Sequence, residues 1–407
     1  MKRLFTSVSA AIMLFAPMAM AQDFDTRATA AWVYDQTTDT VLLSHNADTP
    51  LPPASMSKLM TVYMAFEAIA DGRLKEDEEL IVSEHAASYG GSSMFLRSGE
   101  RVRVDDLLRG IIVLSGNDAS AVIAEALSSD GTEAGFARMM TSRAQQLGMV
   151  NSTFANSNGW PADGQRMSMH DLGILADHLI DDFPTFYQIF SQETFPFDGR
   201  VPSNSNNRNP ILGMGLGADG LKTGHTQEAG YGLVGSAVQD DRRVIFVITG
   251  LDSEAARREE SSRILNWAFR QFAMREVGAA GTRLAEADVW MGAQPSVGLV
   301  LAEDLNLLVP SVSSAELAAH VVYNGPLSAP IAAGQEVAHL VITREGLPEV
   351  SVPLLAETGV SQGGFTVKLG AAVSVLLSKM GIGQTDTTIE ADAAAQNGAV
   401  DTAAAPV

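Results

Sequence analysis

The chain has 407 residues, of which 46% are hydrophobic, a net charge of −21 and no cysteine. That length asks for two domains, or one large domain with an appendage, and the apolar share supplies a core. The missing cysteines exclude disulfides, thiolate metal sites and a thiol nucleophile, while the acidic balance works against nucleic acid and anionic lipid.

In chain order, Lys2 and Arg3, the apolar stretch 4–16 and the small residues Ala19-Met20-Ala21 form a signal-peptide pattern over residues 1–21. Cleavage after Ala21 would start the mature chain at Gln22 and take its charge to −21 − 2 = −23. Such a leader predicts export. Residues 29–43 then read as a hairpin, with apolar runs at 31–34 and 41–43 around a polar turn. Pro52-Pro53-Ala54 breaks the chain before a helix from Ser55 to about Ala70, whose Leu59, Tyr63, Phe66 and Ala70 recur at helical spacing. Several helices are expected between 104 and 190, with polar loops around 88–93 and 151–166. Strands return at 231–237 and 244–249, and a long helix from about Ala255 to Arg275 closes the domain. Strands at both ends with helices between them predict a mixed α/β domain over 22–276, whose terminal segments meet in one sheet.

Beyond residue 277 short β-like runs at 297–301, 305–309, 318–323 and 336–343 alternate with Gly, Pro and Ser turns. Residues 277–362 therefore read as a small all-β, sandwich-like domain. Segment 363–382 reads as an amphipathic helix in which Phe365, Leu369, Val373, Leu376, Leu377 and Met380 would share a face. Residues 383–407, rich in Ala, Thr and Asp, have no apolar period and read as a disordered tail.

Three motifs carry the chemistry. Ser55-Met56-Ser57-Lys58 is the only Ser-x-x-Lys, and Ser115-Gly116-Asn117 and Lys222-Thr223-Gly224 follow it in order. About one or two Ser-x-x-Lys matches arise by chance in a chain this long, so the ordered set carries the signal rather than any one member. A serine hydroxyl is a poor nucleophile without a base, and Lys58, three residues on in a helix, reaches Ser55. Lysine serves as a base only when burial or a second cation lowers its pKa, and Lys222 is the candidate second cation. The Ser55 N–H, at a helix start, and the His225 N–H are candidate oxyanion donors. Ser115 can relay a proton, Asn117 can hold a peptide amide, and Asp118 is expected to cap a helix over 119–127. Lys222 and Thr223 offer a charge and a hydroxyl to a carboxylate, Gly224 permits close approach, and the His225 side chain reads as structural.

The set resembles the marks of penicillin-recognising serine enzymes. With the flanks Pro53-Ala54-Ser55-Met56-Ser57-Lys58-Leu59-Met60-Thr61, Gly90-Gly91-Ser92-Ser93-Met94-Phe95-Leu96 and Lys222-Thr223-Gly224-His225-Thr226, it is similar to the low-molecular-mass D-alanyl-D-alanine carboxypeptidases over about 27–275. The resemblance implies a transpeptidase-like sheet flanked by helices with a helical subdomain. It implies Ser55 as nucleophile, Lys58 as base and Ser115 and Asn117 as the second motif. Arg257 falls where the family carries an arginine near the substrate carboxylate, and Arg208 matches a further basic position near the cleft. The implied partners are peptidoglycan stem peptides ending in D-Ala-D-Ala, with β-lactams as covalent inhibitors, in the periplasm at the outer face of the cytoplasmic membrane. No cofactor or metal is implied.

Two other readings share some of these residues: a serine β-lactamase, which needs no β module, and a weakly active envelope protein that binds peptidoglycan. Gly359-Val360-Ser361-Gln362-Gly363 fits the nucleophile-elbow pattern, yet that fold needs a histidine after the serine and the last one is His339. The seven histidines show no metal-ligand spacing. The terminal segment departs from the family, with one Phe and no Trp, so residues 365–380 read either as an interfacial helix or as a helix docked on protein.

Overall fold

In the computed structural model, which describes residues 24–311 and 317–364, the expected hairpin opens a five-stranded antiparallel sheet. The leader, the amphipathic face from Phe365 and the tail lie outside the described residues. β1 (Ala30–Asp35) and β2 (Thr40–His45) pair around the short turn Gln36–Thr38. β3 (Ala218–Thr226), β4 (Gly230–Gln239) and β5 (Arg242–Leu251) complete the order β2-β1-β5-β4-β3. N- and C-terminal segments thus meet in one sheet, and β3 is left on its edge.

Period-two alternation decides what each face meets. Ala30, Trp32, Ile245 and Val247 point to one core, and Ala31, Val33, Phe246 and Ile248 to the other. The second face is covered by α6 (Glu254–Arg270) through Ile264, Leu265 and Ala268. The first face is covered by the helical layer: α1 (Lys58–Ala70), α2 (Val104–Ile112), α3 (Asn117–Leu127), α4 (Glu133–Gln146) and α5 (Met169–Asp182). α5 carries Gly173 beneath the Trp32 indole, where an added Cβ would come to 2.2 Å of the ring.

α1 is the central helix of that layer. Its expected apolar stripe proves too narrow a description, because residues from Lys58 to Phe66 are all buried and Ala70, at the C-terminal end, is exposed. Helices α2 to α5 pack around it, so an all-round apolar surface is what the position requires. Lys58 is carried into that interior.

α6 stops at Arg270, sooner than expected, and Phe272–Gly278 is a strand. The helix pattern gives way there because Phe272 pairs with Pro310 in an antiparallel ladder with Leu305–Pro310. Alternation on that ladder sends Leu305 and Leu307 into the β module's core and Leu308 into the first domain's core. The other module strands form a six-stranded sheet that includes the anticipated runs as Ser296–Leu301, Ala318–Val322 and Glu336–Arg344. Arg283–Trp290 and Leu347–Ala356, which sequence reading did not single out, pair with Ser296–Leu301 inside it. Mixed α/β followed by all-β is the expected fold class.

One ion pair locks sheet, helix and joint together. Asp35 is fully buried and its Oδ2 accepts from Arg242 Nε at 3.0 Å and Nη2 at 2.6 Å. The same guanidinium donates to the carbonyls of Ala268 and Phe272. Asp35→Ala leaves a buried arginine without its counter-charge, so urea denaturation should show a loss of about 3–5 kcal/mol. A loss under about 1 kcal/mol would show that the pair does not hold the joint.

Candidate active site

Ser55 lies on the 3-10 turn Ala54–Ser57, which runs directly into α1. Ala54 takes a left-handed φ of 48°, an uncommon backbone for alanine that the surroundings must enforce. Two glycines clamp the turn. A Cβ on Gly159 would fall 1.8 Å from the Ala54 carbonyl oxygen, and one on Gly224 would fall 2.9 Å from the Pro53 carbonyl oxygen and from Met56 Cγ. Gly224 therefore makes room for the Ser55 turn, whereas its sequence position had suggested room for a ligand. Met56 is buried as the turn's anchor, and Ser55 stays half-buried.

Lys58, fully buried, places its Nζ within bonding distance of three acceptors. It donates to Ser55 Oγ at 2.9 Å, Asn117 Oδ1 at 2.7 Å and the Asn158 carbonyl at 2.6 Å. Burial, followed by the charge of Arg208, pushes its pKa down to about 7, against the opposing pull of Asp118 and Glu133. A lysine in that range exchanges its proton at neutral pH, as a general base must.

The second motif sits at the α2–α3 junction. Ser115 has φ 62°, and its Oγ accepts from Lys222 Nζ at 2.9 Å. Asn117 opens α3; its Nδ2 donates to the Gly90 carbonyl at 2.8 Å and its backbone N–H to the Ser92 carbonyl at 2.8 Å. The two motif residues thus divide the lysines, Asn117 taking Lys58 and Ser115 taking Lys222. Asp118 is not the helix cap expected of it, since Gly116 occupies that position. Its buried carboxylate accepts from Ala119 N in the first turn and also from Ser93 Oγ, Met94 N and Leu96 N, tying the 93–96 loop to the motif.

The third motif lies on the edge strand β3. Lys222 is buried, and burial, then the charges of Lys58, Arg208 and Arg257, hold its pKa well below the ordinary lysine value. Thr223 is buried beside it, while His225 is exposed and stacks on Tyr231 at 3.8 Å. Arg257, on α6 and 4% exposed, lies 5.6 Å from the Tyr231 ring. Its Nε is buried with no hydrogen-bond partner among the described residues. Arg208, exposed, donates to Ser92 Oγ. A serine with a buried amine base, a second amine and a part-unpaired arginine can acylate and can bind an anion.

Sequence reasoning missed four contributors. Asn158 supplies the carbonyl on Lys58, Gly159 the clamp, and Glu133 the ligand for that loop. Trp160, 45% exposed, lies with a ring carbon 3.1 Å from where a Cβ on Gly91 would be. The signal for Asn158, Gly159 and Trp160 was the run Asn156-Ser157-Asn158-Gly159-Trp160, which as sequence is indistinguishable from turn chemistry. Ser361, by contrast, is an exposed loop residue of the β module, between bridges at Val360 and Gln362.

A family model described as D-alanyl-D-alanine carboxypeptidase matches residues 16–253, and one for the C-terminal domain of penicillin-binding protein 5 matches residues 272–362. The curated D-alanyl-D-alanine carboxypeptidase DacF of Bacillus subtilis is 32% identical over 381 residues, covering 90% of this chain and 96% of its own. The solved structure of the carboxypeptidase DacD from Francisella tularensis superposes with a TM-score of 0.73 at 31% identity, over 85% of this chain and 97% of that one. That of penicillin binding protein 5 from Haemophilus influenzae gives 0.71 at 31% identity, over 84% and 99%. With the serine, the two lysines and the β module all in place, this chain belongs to the D-alanyl-D-alanine carboxypeptidase family.

Proposed function

We propose that the protein removes the terminal D-alanine from peptidoglycan stem peptides through an acyl-enzyme on Ser55. The observation that carries this reading is the fully buried Lys58 amine 2.9 Å from Ser55 Oγ. In its neutral form the amine accepts the Ser55 proton as Oγ attacks the carbonyl between the two D-alanines. The Ser55 and His225 N–H groups are the proposed donors to the oxyanion. As the C–N bond breaks, the D-alanine nitrogen takes up the proton that Lys58 received, directly or relayed through Lys222 and Ser115, which leaves Lys58 neutral again. Water then adds to the ester with Lys58 again as base, which frees Ser55 and the shortened stem.

The terminal carboxylate would meet Lys222, the Thr223 hydroxyl and Arg257, while the peptide adds to the free edge of β3 as an extra strand. Binding of that anion favours protonated Lys222, offsetting the burial and neighbouring cations that lower its pKa. Asn117 holds the peptide amide, and Arg208 adds positive charge at the cleft. A β-lactam has the same carboxylate and a strained amide, and the relative from Haemophilus influenzae is named as penicillin-binding. Ser55 is therefore proposed to be acylated by β-lactams. The leader pattern at 1–21 supports action in the periplasm, and the apolar face of 365–380 supports contact with the outer surface of the cytoplasmic membrane.

Three outcomes are expected. Intact-mass analysis with a penicillin should show one adduct on the wild type and none on Ser55→Ala, with D-alanine released from a D-Ala-D-Ala peptide by the wild type alone. A folded wild type without an adduct would remove the mechanism. The acylation rate in single turnover should rise about tenfold per pH unit below about 7 and level off above it, because the neutral amine is the reactive form; a flat profile from about pH 5 to 9 would exclude Lys58 as the base. A chain ending at Gly364 should shift from membrane to soluble fractions, and an unchanged distribution would defeat the anchor.

A further inference from the structure

One buried carboxylate touches none of the reacting atoms and is still wired to the base. Glu133 opens α4 behind the Thr132 cap and is 7% exposed. Its Oε1 accepts from Ser157 N at 3.0 Å, Ser157 Oγ at 2.5 Å and Asn158 Nδ2 at 3.4 Å. Its Oε2 accepts from Tyr89 OH at 2.6 Å and lies 2.8 Å from His85 Nε2. The loop so gripped delivers the Asn158 carbonyl to Lys58 Nζ at 2.6 Å and the Ser157 carbonyl to Thr61 Oγ1 at 2.6 Å, one turn along α1. The same loop carries Gly159, whose missing side chain admits the Ala54 carbonyl.

We propose that Glu133 is a positioning residue for the reaction: it fixes the 157–159 loop against both Lys58 and the nucleophile's turn, and it presents a fixed negative charge to the base. This inference rests on Lys58 being the base in the proposed reaction. Two observations make it more than a structural anchor. Burial alone would raise the Glu133 pKa, but the hydrogen bonds from Ser157, Tyr89 and His85 outweigh it and keep the carboxyl below its usual range, so the charge is present at working pH. That charge pulls the proton affinity of Lys58 upward, in opposition to burial and Arg208. The other charged groups around the base are Asp118 on α3, Arg208 on its loop and Lys222 on β3; around Glu133 stand His85 and Tyr89.

Loop geometry and charge separate in two variants. Glu133→Gln keeps the size and one acceptor oxygen but removes the charge; Glu133→Asp keeps the charge but shortens the reach. Acylation by a penicillin in single turnover, followed across pH with folding checked by circular dichroism, reads both. Glu133→Gln should move the acid limb of the profile down by about 0.5–1 pH unit, since the cation at Lys58 loses a stabilising anion. Glu133→Asp should leave the limb in place and lower the plateau about tenfold, as the loop and its carbonyl shift. If both folded variants keep the wild-type limb and plateau, the inference is overturned. If Glu133→Gln does not fold, the position of the limb in Glu133→Asp decides: retained with a lowered plateau it supports the role, and with a wild-type plateau it refutes it. A wild type without any acid limb would instead refute Lys58 as the base, a failure of the function reading and distinguishable from this one.

Discussion

A lysine amine placed inside a protein is the constraint on which the rest of this site depends. Stripping water from an ammonium costs several kcal/mol, so a buried lysine either loses its proton or is surrounded by acceptors. Lys58 sits between those limits. Its three acceptors, Ser55 Oγ, Asn117 Oδ1 and the Asn158 carbonyl, match the three N–H bonds of the charged form, while burial favours the neutral one. The balance places its pKa near neutrality, where either form is accessible. Each acceptor comes from a separate segment, and so the architecture must hold three segments at one point.

Two buried carboxylates do most of that holding. Asp118 gathers the 93–96 loop onto the start of α3, and Glu133 gathers the 157–158 loop onto the start of α4. Both sit at helix N-termini, where the backbone dipole favours negative charge, and both raise the proton affinity of Lys58. Positioning and electrostatics are therefore coupled here. The groups that fix the loops also set how readily Lys58 is freed of its proton.

The range of the forces involved decides which features sequence disclosed. Local chemistry was legible: the hairpin, the Pro-bounded start of α1, the apolar strands β4 and β5 and the serine-lysine spacing each depend on residues a few positions apart. Ser55, Lys58, Ser115, Asn117 and Lys222 could be brought together because their motifs are ordered and resemble a family. Asn158 acts through its backbone carbonyl, which leaves no side-chain signature, and Glu133 reads as an ordinary first-turn acid. The end of α6 was misplaced for the same reason. Phe272 leaves the helix for a ladder with Pro310, a partner far along the chain that no helical period reveals.

The cationic side of the cleft gives a reason for keeping the proposed base and the proposed anion-binding group apart. Burial and the neighbouring charges of Lys58, Arg208 and Arg257 all depress the affinity of Lys222 for its proton. Two neighbouring ammonium groups in a buried site are unfavourable, so a single proton is most cheaply kept where an anion will compensate it. That place is the Lys222 side: Ser115 and the Thr223 carbonyl accept from its amine, and Arg257 brings a buried Nε without a partner among the described residues. An arriving carboxylate would supply the missing negative charge, draw the proton to Lys222 and leave Lys58 neutral beside Ser55. In the proposed reaction, substrate binding and activation of Ser55 would then become one electrostatic event, which would favour ligands that end in a carboxylate over peptides that do not.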